Sequence, residues 1–165
     1  MNNRFSWMKW GIPFVIILTL GWTAYYFVTP TFSHQYQQLT ERVEVGVKYT
    51  NPEESIVYIH PYIENPNSEE ITCFHDDQFV EIRVLDEDGN HLDKAVSMEE
   101  KRGASPADEE TLKPGQKTMN ANYYKVELPD NAASIQLIYN GSVEDQYGID
   151  QLEETININL DYLIM

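Results

Sequence analysis

The sequence predicts a mainly β protein, a single N-terminal transmembrane helix followed by an antiparallel β-sandwich. Three observations carry that prediction. The 18 residues at 11–28 hold no charge. Beyond residue 41 apolar side chains recur at every second position in short runs, the period of a strand with one buried face. Turn-forming residues separate the runs, and no long 3.6-residue period competes with them.

The apolar segment at 11–29 has the length of a spanning helix, since about 20 residues at a 1.5 Å rise cross a ~30 Å hydrocarbon core. Trp7 and Trp10 stand at its start and Trp22, Tyr25 and Tyr26 at its end, where amphipathic rings settle at headgroup level. A cleaved signal peptide is the alternative. It requires a small-residue exit, whereas Ala24 is followed by Tyr25, Tyr26 and Phe27. The segment therefore reads as an uncleaved signal anchor. Arg4 and Lys9 precede it, and the next basic residue is Arg42. The positive flank stays inside, so 1–10 are expected in the cytoplasm and the remainder beyond the cell membrane. Residues 30–41 are polar and Gln-rich and read as a spacer, leaving 42–165 as the extracytoplasmic domain.

Within that domain Val43, Val45, Val47 and Tyr49 alternate with Glu44, Gly46 and Lys48. Residues 55–63 are β-branched and aromatic and end at Asn65-Pro66-Asn67-Ser68. Further alternations run through Val80, Ile82 and Val84, through Tyr124, Val126 and Leu128, and through Ile135, Leu137 and Tyr139. The clearest has Ile156, Ile158, Leu160 and Tyr162 between Asn157, Asn159 and Asp161. Two long connections are expected. Residues 96–110 have capping-box spacing at Ser97 and Glu100, with Gly103 as a stop, which allows a short helix. Residues 141–154 hold five carboxylates around Tyr147, and loops of that length are commonly functional.

The succession of Glu64-Asn-Pro-Asn-Ser-Glu-Glu-Ile71, Val80-Glu-Ile-Arg-Val-Leu-Asp-Glu-Asp-Gly-Asn90 and Leu112-Lys-Pro-Gly-Gln116 resembles small immunoglobulin-like domains on envelope proteins of Gram-positive bacteria. It also resembles the proteinase-inhibitor family of bacilli, which shares such a sandwich. The likeness covers about residues 43–140 and rests on turn chemistry. It implies an immunoglobulin-like sandwich and transfers no active-site residue.

Composition narrows the function. The net charge is −16, and all 27 acidic residues follow residue 30 with 9 basic ones. Such a surface repels nucleic acid and anionic headgroups. A basic protein outside the membrane fits it, and the bilayer itself is a partner through 11–29. The single cysteine, Cys73, forms no internal disulfide. Cys73-Phe-His75-Asp-Asp77 groups a thiol, an imidazole and carboxylates, but a metal site needs three or four convergent ligands, and His60 and His91 are not brought to it by spacing. The segment reads as a polar strand connection.

Asp86-Glu-Asp-Gly-Asn90 lacks the glycine and glutamate positions of a calcium loop and reads as a hairpin turn. Asn140-Gly-Ser142 is a formal glycosylation sequon that reads as a turn. No nucleophile elbow, phosphate loop or metalloprotease helix is present, so neither catalytic residue, metal nor cofactor is expected. The expected function is a non-enzymatic, membrane-tethered interaction module. The alternative is a divalent-cation-binding or proteinase-inhibitor-like domain that uses its acidic loops. Expected partner-binding residues are Tyr147 as an aromatic anchor with Glu144, Asp145, Asp150, Glu153 and Glu154 as an anionic rim.

The topology has a direct check. Protease added to intact protoplasts is expected to remove residues 31–165. Survival of the domain until the membrane is permeabilised would reverse the orientation.

Overall fold

The computed structural model describes residues 30–76, 78–99 and 109–163. The expected span at 11–29 lies outside them, and among the described residues no helix is long and apolar enough to cross a membrane. The chain divides into units 1–31 and 32–165, and the architecture below is that of the second.

It is built from two antiparallel sheets. The first contains β1 (His34–Leu39), β2 (Glu44–Glu53), β3 (Ile56–Glu64), β6 (Val96–Glu99), β8 (Lys117–Met119) and β9 (Tyr123–Glu127). Its order is β1-β2-β3-β9-β6, with β8 also paired to β3. The second contains β4 (Ile71–Phe74), β5 (Val80–Asp86), β7 (Glu109–Leu112), β10 (Ala132–Asp145) and β11 (Gly148–Asn159). Its order is β11-β10-β4-β7, with β5 also on β10.

The two sheets share one core. Val45 and Val47 from β2, Ile59 and Ile63 from β3, and Val126 from β9 meet Val84, Ile135, Leu137, Ile156 and Ile158 of the other sheet in a single apolar cluster. Apart from Ile59 and Ile63, these are residues that the alternation assigned to one face. Two polar bridges cross the core. Tyr139 Oη donates to Gly46 O at 2.6 Å, fully buried, and Tyr124 Oη donates to Val80 O at 3.0 Å. Burial raises the pKa of the Tyr139 phenol well above its ordinary value, so it stays a neutral donor. Gly46 carries Tyr62 on its other side. A Cβ there would stand 2.6 Å from the Tyr62 ring and 2.7 Å from Tyr36 O, so no side chain fits.

Each sheet has a strand break that Asn120 contacts. Pro61 lies within β3 and has no N–H to donate. On the flank where Pro61 O accepts from Asn120 N at 3.0 Å, the neighbouring strand is broken between Met119 and Tyr123. In the second sheet β4 ends at Phe74 and β5 begins at Val80, both lying along β10. Asn120, 1% exposed, spans the two gaps. Its Oδ1 accepts from Phe79 N at 3.2 Å, its Nδ2 donates to Asn122 O at 2.9 Å, and its carbonyl accepts from His60 Nε2 at 2.8 Å. Asn65 does similar work at the far end of β3, donating to Glu69 O and Leu112 O.

Four expectations are corrected. His34–Leu39, within the expected spacer, is an edge strand paired to β2; only Tyr36 packs on the core, so its polar partners hid the period. Ser97 lies in β6 rather than capping a helix, and 100–108 lie outside the described residues. Asn140-Gly-Ser142 is inside β10, not a turn. Tyr162 is 64% exposed, because Asn159 Oδ1 accepts from Asp161 N at 2.9 Å and turns the chain into a 3-10 turn, Leu160–Tyr162.

Thermal or urea unfolding checks the core. Ile158→Ala is expected to cost about 2–5 kcal/mol, while the exposed Asn157→Ala stays within about 0.5 kcal/mol. Asn120→Ala strands buried partners in both sheets, at about 1–3 kcal/mol for each group left unsatisfied. Equal effects at 157 and 158 would refute the strand's facing.

Candidate functional site

The segment expected to be a 14-residue loop at 141–154 is a hairpin. β10 and β11 stay in register from Ser134↔Asn159 to Asp145↔Gly148, leaving Gln146 and Tyr147 as the turn. The period of two persists through the acidic stretch at Val143 and Leu152, both buried, with Gly141 opposite Leu152. At the tip Asp145 Oδ1 accepts from Tyr147 N at 2.7 Å, the local bond that favours Asp in turns. Tyr147 is 80% exposed and Ile149 60%, which makes the tip apolar.

The five carboxylates do not form one rim. Alternation along the strands puts Glu144 and Glu153 on the outer face with Ile149, and Asp145, Asp150 and Glu154 on the face shared with buried Val143 and Leu152. Two of the latter share one guanidinium. Arg42 Nη1 meets Asp145 Oδ1 at 2.5 Å, Arg42 Nη2 pairs with Asp150, and Nη1 also donates to Gly148 O at 3.3 Å. Asn67 Nδ2 donates to Arg42 O at 2.6 Å, tying the turn after β3 to the same point. Arg42 escaped the sequence reading as a site residue because its partner Asp145 lies 103 positions away. A guanidinium is suited to the place, since its fixed fork serves two carboxylates at once.

Arg42 separates two clefts. One, of about 360 Å³, runs beside Tyr147 and is lined by Glu41, Asn67, Ser68, Glu69 and Gln146. The other, of about 300 Å³, lies between Thr40, Val43, Leu152 and Glu154. Tyr147 is thus an exposed ring at the mouth of an acidic cleft, held by a hairpin that one arginine pins to the body.

Cys73 and Asp86 have structural surroundings that account for them. Cys73 is 1% exposed; burial first, and Glu110 second, push its thiol up to about 12, which removes the thiolate that nucleophilic or metal chemistry needs. Asp86 accepts from Asp88 N, Asn90 N and Asn90 Nδ2, and these bonds, led by Asn90's, hold its carboxyl below the usual range. That is the expected hairpin turn, with Gly89 at φ 81°. Among the described residues no group of three or more His, Cys, Asp or Glu side chains is arranged to hold a metal; Asp77 lies outside them.

Arg42→Ala leaves Asp145, its side chain only 13% exposed, facing Asp150 unpaired. Because the pairs are partly solvated, the global cost is expected to be about 1 kcal/mol. Amides at 143–152 are expected to exchange faster while those at 43–47 keep their protection. Arg42→Lys, with one ammonium for two carboxylates, restores this only in part. Unchanged exchange at the hairpin in Arg42→Ala would show that the arginine does not pin it.

No family model matches the sequence, and no curated protein matches it. Solved structures similar to this chain include the GAE domain of GGA2p from Saccharomyces cerevisiae, 12% identical, covering 76% of this chain and 96% of its own, with a TM-score of 0.44. The GAE domain of yeast GGA1 is similar at 12% identity, 76% and 97% coverage, and a TM-score of 0.42.

Proposed function

We propose that the protein is a non-enzymatic, membrane-tethered interaction module whose immunoglobulin-like sandwich stands outside the cell membrane and binds a basic protein partner at the β10–β11 tip. The observation that carries this reading is Tyr147, 80% exposed at the end of a rigid hairpin and beside an acidic cleft. Aromatic side chains held on a scaffold in this way supply much of a typical interface's energy. Tethering rests on the uncharged, aromatic-flanked segment at 11–29 and on Arg4 and Lys9 before it. The buried, protonated thiol of Cys73 and the hydrogen-bonded Asp86 support a non-catalytic role. A cation-binding reading is disfavoured at the tip, because the Arg42 guanidinium already occupies the space between Asp145 and Asp150 and offsets one of their two charges.

Further anionic charge near the tip is carried by Glu144, Glu153, Glu154, Glu41 and Glu69. Exposed charges of this kind raise association rates and make them salt-dependent. A photo-crosslinking residue at position 147 is expected to capture a partner in intact cells, while the same residue at 157 does not. Tyr147→Ala is expected to weaken the isolated complex by about 2 kcal/mol or more. Glu144→Gln with Glu153→Gln is expected to slow association at low salt and flatten its salt dependence. Capture from 157 but not from 147 would move the interface elsewhere.

A further inference from the structure

β11 closes one end of the second sheet, and among the described residues no strand pairs with its other flank. The hairpin register shows which backbone groups that flank presents. Asn140 N donates to Phe79 O at 2.9 Å, on the side of β10 away from β11. Asn140 stands opposite Glu153, so that pair makes no ladder bonds and Glu153 turns its own N–H and C=O outward. Antiparallel pairs alternate in this respect, and Ile149, Gln151, Thr155 and Asn157 do the same. All of these residues are exposed.

A free flank of this kind invites another strand, and proteins blunt it with short length, proline, lysine or a bulge. The other sheet ends are short, six residues in β1 and four each in β6 and β7. β11 has 12 residues, no proline, lysine or arginine, and a register with β10 that never shifts. Its only guards are Asp150, Glu153 and Glu154. Carboxylates discriminate by sign. They repel a second copy of a chain whose net charge is −16, and they attract a basic segment.

The cleft of about 300 Å³ adds a place for a cationic side chain. Asp150, Leu152 and Glu154 of β11 line it together with Glu41. Gln151, from the outer face of the strand, lines it too, so the cleft reaches the free flank. Arg42 is also in its wall, but Asp145 and Asp150 engage that guanidinium, which leaves Glu41 and Glu154 to meet an incoming charge. We infer that the free flank of β11 binds an extended basic segment of a partner protein as an added strand. Backbone bonds run to Ile149, Gln151, Glu153, Thr155 and Asn157, and a Lys or Arg of the segment lies beside Glu41 and Glu154. The inference rests on the reading of a basic partner at this hairpin, but neither on Tyr147 nor on the membrane tether.

The test is a nitrogen-15 NMR titration of the detergent-solubilised full chain with an acetylated, amidated peptide of four Lys-Val repeats. Main-chain bonds supply the affinity of an added strand, so a generic basic peptide serves as the probe. Saturable shifts and slowed amide exchange are expected at 149, 151, 153, 155 and 157, with a millimolar or tighter Kd. The same peptide N-methylated at every residue keeps its charge but loses its donors. It and a Glu-Val counterpart are each expected to bind roughly tenfold more weakly or worse. Thr155→Pro removes an N–H that β10 does not use and is expected to weaken binding to a similar degree, whereas Thr155→Ala is not. No saturable binding, equal affinity for either control peptide, or shifts confined to 144–148 would overturn the added strand; the last would leave the tip reading standing. Protection of the same amides that grows with protein concentration, without peptide, would assign the flank to a second copy and overturn it too. Crosslinking from position 147 decides the tip reading separately.

Discussion

The arrangement of both sheets hangs on one buried side chain, Asn120. A proline in the middle of β3 cannot complete the ladder on its β8/β9 flank, and a second gap opens opposite, where β4 gives way to β5. Left open, each gap would strand backbone groups in a dry interior, where every unsatisfied one is costly. Asn120 closes both, because an amide side chain together with its own peptide offers donors and acceptors on two sides. The hydroxyl of Tyr139 adds a second crossing to Gly46, which must lack a side chain because Tyr62 occupies the opposite face. These bonds contribute direction more than energy. Apolar burial makes the two sheets adhere, and the polar bridges fix their relative register.

Much of this architecture was legible in the sequence, for a physical reason. Val45, Val47, Ile135, Leu137, Ile156 and Ile158 alternate because one face of each strand meets the core, and that demand prints a period of two. The signal fades where the demand does. β1 is an edge strand whose inward contact is Tyr36, so its glutamines look like linker. The far half of the β10–β11 hairpin presents only Val143 and Leu152 inward, and its carboxylates drown the period. Tyr162 continues an alternation that Asn159 has already ended by capping a turn.

The candidate sites were less legible than the fold. Tyr147 was recognisable as an apolar ring in an acidic stretch, but the five carboxylates around it could not be sorted into faces without the hairpin register. Arg42 was visible in the sequence only as the first basic residue after Lys9, a clue to topology. Its pairing with Asp145 and Asp150 exists because the loop before β2 and the tip of β10–β11 meet in space, which local spacing does not encode.

Cys73 carries a consequence of a different kind. It is the chain's one thiol, carried by β4 between β7 and β10 and buried in the core. A thiol reagent in solution reaches it only when the structure around β4 opens, so the rate of its modification counts opening events. When reclosure outruns the reagent, that rate reports the free energy of opening; when the reagent wins, it reports how often the sandwich opens. The native chain thus holds a built-in clock for the second sheet. Any ligand that binds the closed form slows it in proportion to its occupancy, with no label added.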